Sequence, residues 1–151
     1  MKNLIIIIVS AVVLAGCAAR GDVVVLNDEK ITSAKLIGLD APSAPWVAQI
    51  ERRLKTRGFT VKRISRDETR ALTATWADYI LVLDGAYETG WGRRCLGGGL
   101  IFEYLNADLV NLKTNESVLS VYGQGYSENC GPLSGTIYGD IVKAVSDKWA
   151  E

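Results

Sequence analysis

The sequence predicts an α+β fold: one domain in the order β-α-β-(α)-β-β-β-α, with a mixed sheet and two main helices packed on one face. Two segments, 45–57 and 137–149, carry apolar residues at helical spacing, which predicts two amphipathic helices. Two β-like segments, 100–112 and 117–126, flank the turn sequence KTNE and predict a hairpin. Helices combined with a run of consecutive strands are typical of an α+β domain.

The first predicted unit is strand, helix, strand over 31–64. A short β-like run at 23–26 precedes it and ends at the turn signal Asn27-Asp28. Segment 31–38 is predicted as a strand, and 59–64 alternates apolar and polar residues as a strand does. Two strands joined in this way are normally parallel, with a right-handed crossover.

The helix of this unit has clear start and stop signals. Ser43 before Pro45 marks its start, and Gly58 is in the position that commonly ends a helix. Its apolar positions are Val47, Ile50 and Leu54.

The second half adds a short helix, three strands and a last helix. Asp67 and Glu68 favour a short helix at 67–75 because they lie near its positive end. Segment 78–87 is predicted as an interior strand, followed by the hairpin. The last helix begins after Pro132 and Ser134, and its buried stripe is Ile137, Ile141, Ala144, Val145 and Trp149.

The N-terminus has the form of an export signal. Lys2 precedes an apolar run at 4–14, which is too short for a stable membrane-spanning helix. The following Leu14-Ala15-Gly16-Cys17 resembles the lipobox of bacterial lipoproteins; an ordinary signal peptide is the alternative. The resemblance implies that 1–16 is a signal peptide, that Cys17 is lipidated and acylated (palmitate), and that 17–22 forms the lipidated Cys and a short tether.

The same resemblance predicts where the protein lies. Segment 23–151 is then a single periplasmic domain. Ala18 stands where lipoproteins retained in the inner membrane usually have Asp, which implies the periplasmic face of the outer membrane. Three acyl chains satisfy the two-signal requirement for stable anchoring. A tether of five residues would extend about 17 Å, which favours a partner in or near the outer membrane.

Two cysteines remain after lipidation, Cys95 and Cys130. The periplasm is oxidising, so we predict a disulfide between them; two free thiols are the alternative. Both lie at the far ends of the hairpin strands from their turn, which the predicted register brings together.

Charge and composition exclude several functions. Lys2 is the one charge in 1–16, so the remaining chain has 16 basic and 17 acidic residues, a net of −1. This balance argues against nucleic acid as a partner and against a basic membrane-surface stripe. With no His, the chain has no Ser-His-Asp triad and no zinc site built on His, and we predict no cofactor and no metal.

Several carboxylates could be paired for catalysis in principle. Asp84 with Glu88, or Glu103 with Asp108, could in principle act as the acid pair of a glycosidase. Nothing in the sequence places either pair in a sugar groove, and solvated strand and turn positions explain them as well.

The second half of the chain resembles a group of periplasmic lipoprotein domains. The segment ADYILVLDG at 77–85, followed by ADLVNLKTNESVL at 107–119, resembles domains of the curli-secretion and penicillin-binding-protein-activator type, to which the N-terminal domain of TolB is related. The match covers 77–150. Asn111 and Asn115 replace the Asp and Gly of the pattern; Asn is the best non-Gly residue at a positive-φ turn position.

The stretch GWGRRCLGGGL at 90–100 contains the candidate partner-binding residues. Trp and Arg are enriched where proteins bind proteins, which favours Trp91, Arg93 and Arg94, with Tyr126 beside the second cysteine. Alternatively, Trp91 covers a sheet edge and the arginines face solvent. The glycines predict a flexible or closely packed start of a strand.

These observations predict a non-enzymatic, outer-membrane-anchored periplasmic lipoprotein. Its expected role is as an accessory, assembly or regulatory factor for a larger envelope protein complex. One alternative is an oligomeric structural component of a secretion or surface-appendage system, in which the chain forms a homo-oligomer. A second is a small envelope enzyme or hydrolase inhibitor.

Overall fold

A computed structural model describes residues 18–64, 70–88, 95 and 97–150. The strands are β1 (Asp22–Val25), β2 (Leu36–Asp40), β3 (Thr60–Arg63), β4 (Tyr79–Tyr87), β5 (Ile101–Asn111) and β6 (Glu116–Tyr126). The helices are α1 (Pro45–Thr56), the single turn α2 (Arg70–Thr73) and α3 (Ile137–Lys148), with a 3-10 turn at Gly131–Leu133.

The strands form one mixed sheet in the order β1-β6-β5-β4-β2-β3. β2 pairs in parallel with β3 and β4, and the remaining pairs are antiparallel. The parallel β2-α1-β3 unit and the β5–β6 hairpin are as predicted. The two edges of the sheet are therefore β1 and β3.

Both main helices pack on one face of the sheet, which confirms the predicted arrangement. α1 contacts β3 and α3 contacts β6, and the two helices contact each other. The core between helices and sheet is centred on fully buried side chains of α1, α3 and the central strands: Trp46, Ile50, Leu54, Leu81, Leu105, Leu109, Leu119, Ile137 and Ile141. All residues of the two predicted apolar stripes lie in this core.

The predicted strand at 31–38 is wrong in its position, because β2 spans Leu36–Asp40. Ile31 is taken up elsewhere: its amide donates to the carbonyl of Lys148, and its carbonyl accepts from the amide of Ala150. These two hydrogen bonds hold Ile31 against the end of α3, and the chain enters the sheet only at Leu36.

Residues 18–22, predicted as a tether, are built into the fold. Ala19 is fully buried, its amide donates to the carbonyl of Tyr126, and its carbonyl accepts from the amide of Thr136. Asp22 is the first residue of β1. The described fold therefore already includes Ala18 and Ala19, which precede residue 23.

The sheet has two distinct ends. The disulfide end is formed by the described segments 18–19, 41–45, 87–88, 97–100 and 127–136, with Cys95. The hairpin end is formed by 27–35, 55–58, 74–78, 111–116 and 147–150. The 11-residue strands β5 and β6 run between them, so the ends lie about 35 Å apart.

Candidate functional site

Cys95 and Cys130 form a disulfide, with their Cα atoms 4.7 Å apart. The glycines that precede β5 make room for it. A Cβ on Gly99 would lie 2.4 Å from Sγ of Cys130, and Gly97 and Gly98 have φ values of +113° and +84°. The predicted role of this glycine run, close packing at the start of a strand, matches its structure.

The predicted site residues lie in different parts of the chain. Cys17, Trp91, Arg93 and Arg94 are outside the described residues. Tyr126 is partly buried as the last residue of β6, opposite Ile101 and bridged to Ala18. The structure therefore places Tyr126 at the disulfide end. A partner-binding role for Trp91, Arg93 and Arg94 stays a prediction.

A cavity of about 120 Å³ opens at the disulfide end. Trp46, Tyr87 and Tyr138 supply its aromatic lining, and Glu128 its carboxylate. Nε1 of Trp46 and Oε2 of Glu128 are buried and have no hydrogen-bond partner among the residues that the structure describes. Burial raises the pKa of Tyr138 to about 12, against a smaller lowering by the hydrogen bond with Ser127.

Glu128 connects the segment that follows β6 to both main helices. Its Oε1 accepts from Nη1 of Arg53 on α1 at 3.0 Å and from the amide of Gly139 in the first turn of α3 at 3.0 Å. The side chain of Thr136, the N-cap residue of α3, makes no capping hydrogen bond. The carboxylate thus satisfies a helix N-terminal amide from outside the helix, where negative charge is favoured.

The β1 edge is apolar and exposed on both faces. Val23, Val24, Val25 and Leu26 are 45%, 53%, 48% and 57% exposed. The helix-facing valines line a groove of about 280 Å³ with Leu119 and Ala144. Soluble proteins usually protect a sheet edge with charge, proline or a covering element. Here the exposed Asp22 begins the strand, and residues 23–26 carry neither a charge nor a proline.

The opposite edge, formed by α1 and β3, is basic. Segment 45–63 contains six cations and one carboxylate, Glu51, a net of +5, although the whole chain is neutral. Glu51 accepts from Lys55 at 2.7 Å and from Arg63 at 2.8 Å. The hydrogen bond from Lys55, with that from Arg63, lowers the pKa of Glu51 despite partial burial.

The segments at the β1 edge carry more acidic than basic residues. Segments 18–30 and 116–126 carry four acidic and two basic residues. Both charge patterns were visible in the sequence but were missed, because which segments form the two edges depends on the strand order.

One carboxylate of each pair considered for catalysis has a structural partner. Oη of Tyr104 donates to Asp84 at 3.1 Å, which raises the pKa of Tyr104, and Oγ of Ser120 donates to Asp108. Within the described residues, no group of three or more candidate metal ligands occurs. No helix in the described part of the chain has the length and apolarity needed to cross a membrane.

No family model and no curated protein matches this chain. Among solved structures, it is similar to the PelC dodecamer from Paraburkholderia phytofirmans, with 15% identity and a TM-score of 0.56, over 87% of this chain and 100% of that chain. A methionine variant of the same dodecamer is similar with 16% identity and a TM-score of 0.55, over 87% of this chain and 100% of that chain. TolB from Acinetobacter baumannii has 9% identity and a TM-score of 0.47, over 85% of this chain and 31% of that chain. At these identities the likeness to PelC establishes the fold alone.

Proposed function

We propose that this protein is a non-enzymatic, lipid-anchored component of the bacterial envelope that works as a homo-oligomer, in a secretion or surface-appendage system. The observation that carries the proposal is the pair of unlike sheet edges: an exposed apolar strand on one side and a basic surface on the other. The lipobox-like Leu14-Ala15-Gly16-Cys17 supports the anchor.

The two edges favour head-to-tail contact between copies. An exposed edge strand presents unpaired backbone groups and apolar side chains that a second chain can cover. Because the two edges are different surfaces, their contact is heterologous, and such contacts close into rings when the rotation between copies permits. The net charge of −2 in segments 18–30 and 116–126 complements the net charge of +5 in segment 45–63.

The likeness to PelC supports assembly in multiple copies. The PelC structures are dodecamers, and the likeness spans the whole of the PelC chain. We extend assembly in multiple copies to this chain, with the number of copies left to measurement.

The test is the mass of the lipidated protein extracted from membranes in mild detergent. We expect a defined homo-oligomer that Val24→Asp dissociates, because the substitution places a charge in the centre of the β1 contact. Thr114→Asp at the exposed hairpin turn is the matched control and should leave the oligomer intact. A wild-type protein that is monomeric at all concentrations would contradict the proposal.

A second candidate is the accessory role, and the cavity at the disulfide end favours it. Nε1 of Trp46 and Oε2 of Glu128, buried and without hydrogen-bond partners among the described residues, are groups that a bound molecule or an ordered water can satisfy. In this case Trp91, Arg93, Arg94 and Tyr126 would bind a larger envelope protein. A photoreactive residue at position 91 tests it: one dominant large adduct supports the accessory role, and self-adducts support assembly of this chain alone.

A further inference from the structure

The first described residues leave no spacer between the predicted lipid and the folded domain. Ala18 already bridges to Tyr126, and Ala19 is fully buried. Consecutive Cα atoms are about 3.8 Å apart, so a lipid on Cys17 would be attached within one residue of the sheet.

Three glycines shape the fold around this N-terminal segment. A Cβ on Gly135 would lie 2.1 Å from the carbonyl oxygen of Ala19, and one on Gly123 would lie 2.7 Å from that of Arg20. A Cβ on Gly21 would lie 2.8 Å from Cβ of Asp140, whose carboxylate accepts from the Gly21 amide at 2.9 Å. The segment is therefore fixed against β6 and α3 and cannot lengthen into a tether without breaking these contacts.

The described segments at the two ends of the sheet differ sharply in charge. The described segments of the disulfide end contain two charged side chains, Glu88 and Glu128, and neither is fully exposed. The segments of the hairpin end contain eleven. At the disulfide end, the 3-10 turn also presents Pro132 to solvent and Leu133 partly so.

We infer that the disulfide end rests directly on the phospholipid headgroup layer of the leaflet that holds the lipid anchor, with the strands directed away from the membrane. The described segments of the disulfide end carry few charged side chains and lose little hydration when they meet this layer, whereas those of the hairpin end would have to desolvate many ions. The inference rests on the lipid anchor of the proposed function. It orients each copy, so the β1 and β3 edges face sideways, where neighbouring copies lie.

The experiment uses the full lipidated protein in vesicles of phosphatidylethanolamine and phosphatidylglycerol that carry a headgroup-linked nitroxide quencher. A fluorophore is placed at Pro132→Cys, and in a matched control at Thr114→Cys at the hairpin turn. The lipid and the disulfide occupy the three native cysteines, so the introduced thiol is the one that reacts. We expect severalfold stronger quenching at position 132 than at 114.

Co-flotation with the vesicles distinguishes a wrong orientation from the absence of the lipid anchor. Protein that floats but is quenched equally at both positions, or more strongly at 114, overturns the orientation and leaves the anchor in place. Protein that does not float overturns the anchor and the inference together.

A variant with a spacer keeps the lipid but separates it from the folded domain by a flexible link. Twenty Gly and Ser residues inserted between Cys17 and Ala18 give a flexible link of about 25 Å. We expect flotation to be unchanged and the quenching ratio to fall toward one. A ratio that the spacer leaves unchanged would mean that the short link does not impose the orientation, which would also overturn the inference.

Discussion

Glycine at position 135 is required by the buried N-terminal segment. Its missing Cβ leaves room for the backbone of Ala19 and Tyr126, whose atoms would otherwise lie 2.1–2.6 Å away. Backbone cannot move aside as a flexible side chain can, so the cost of a methyl group here is steric. The same logic separates this glycine from Gly139, where an added Cβ would meet its nearest atom at 3.5 Å.

We therefore predict opposite effects for two alanine substitutions. Gly135→Ala should lower the free energy of unfolding by about 1–3 kcal/mol through overpacking. Gly139→Ala, inside α3, should raise it by about 0.5–1 kcal/mol through helix propensity. Urea denaturation of both variants tests this, and equal stability of the two would show that residues 18–20 do not pack as described.

Tyr138 links stability to alkaline pH. Burial raises its pKa from 10.0 to about 12, so the unfolded chain loses the phenol proton first. The associated stability is fully present below pH 10 and is lost as the pH rises toward 12, amounting to about 2–3 kcal/mol. Tyr138→Phe should remove this part of the alkaline loss. Urea midpoints at pH 9 and 11 measure it, and identical losses in variant and wild type would contradict the assignment.

Two residue-scale expectations from the sequence were met for a clear reason. Gly58 has φ +86° after α1, and Asn115 has φ +57° in the hairpin turn. Both follow from local backbone sterics, which the sequence encodes directly.

At the scale of elements, Glu128 holds α3 to α1. The carboxylate accepts from Gly139 of α3 and from Arg53 of α1, so it substitutes for the missing N-terminal cap. Sequence patterns could not reveal it, because residues 128 and 53 are brought together by the crossover of the chain.

Removal of that carboxylate should loosen the helix pair. Glu128→Ala leaves a buried amide without its acceptor, and we predict a loss of about 1–3 kcal/mol. Glu116→Ala, an exposed carboxylate at the start of β6, is the matched control and should change stability little. Thermal unfolding of both variants measures the difference; equal melting temperatures would contradict the capping role.

The disulfide ties the start of β5 to the loop after β6. For a 35-residue separation, the chain-entropy relation gives about 3.8 kcal/mol. We predict that Cys95→Ala with Cys130→Ala loses stability by a few kcal/mol while keeping the fold. Unfolding with and without dithiothreitol checks the wild type, and an unchanged midpoint would show that the bond is absent or contributes nothing.

At the scale of the whole molecule, local patterns predicted elements better than surfaces. The parallel β2-α1-β3 unit, the hairpin and the helical stripes all depend on periodicities of two and 3.6, which a single sequence displays. The exposed edge strand and the basic edge depend on strand order, which places 22–25 and 60–63 at opposite sides. The burial of Ala19 depends on contacts with residues more than 100 positions away, and a polar-looking AARGD gave no sign of it.

The two edges and the N-terminal attachment together define one arrangement. Each copy would stand with its disulfide end toward the membrane, and its unlike edges would face neighbouring copies. The acidic and apolar β1 side of one copy would then meet the basic α1–β3 side of the next.

The most direct test of this arrangement is photocrosslinking in intact cells from position 24 of the lipidated protein. If the chain works as a homo-oligomer through its edges, the products form a ladder at multiples of the protomer mass, and mass spectrometry locates the joined peptide within 45–63 of a second copy. A single adduct with a different, larger protein, or no adduct at all, would contradict the account.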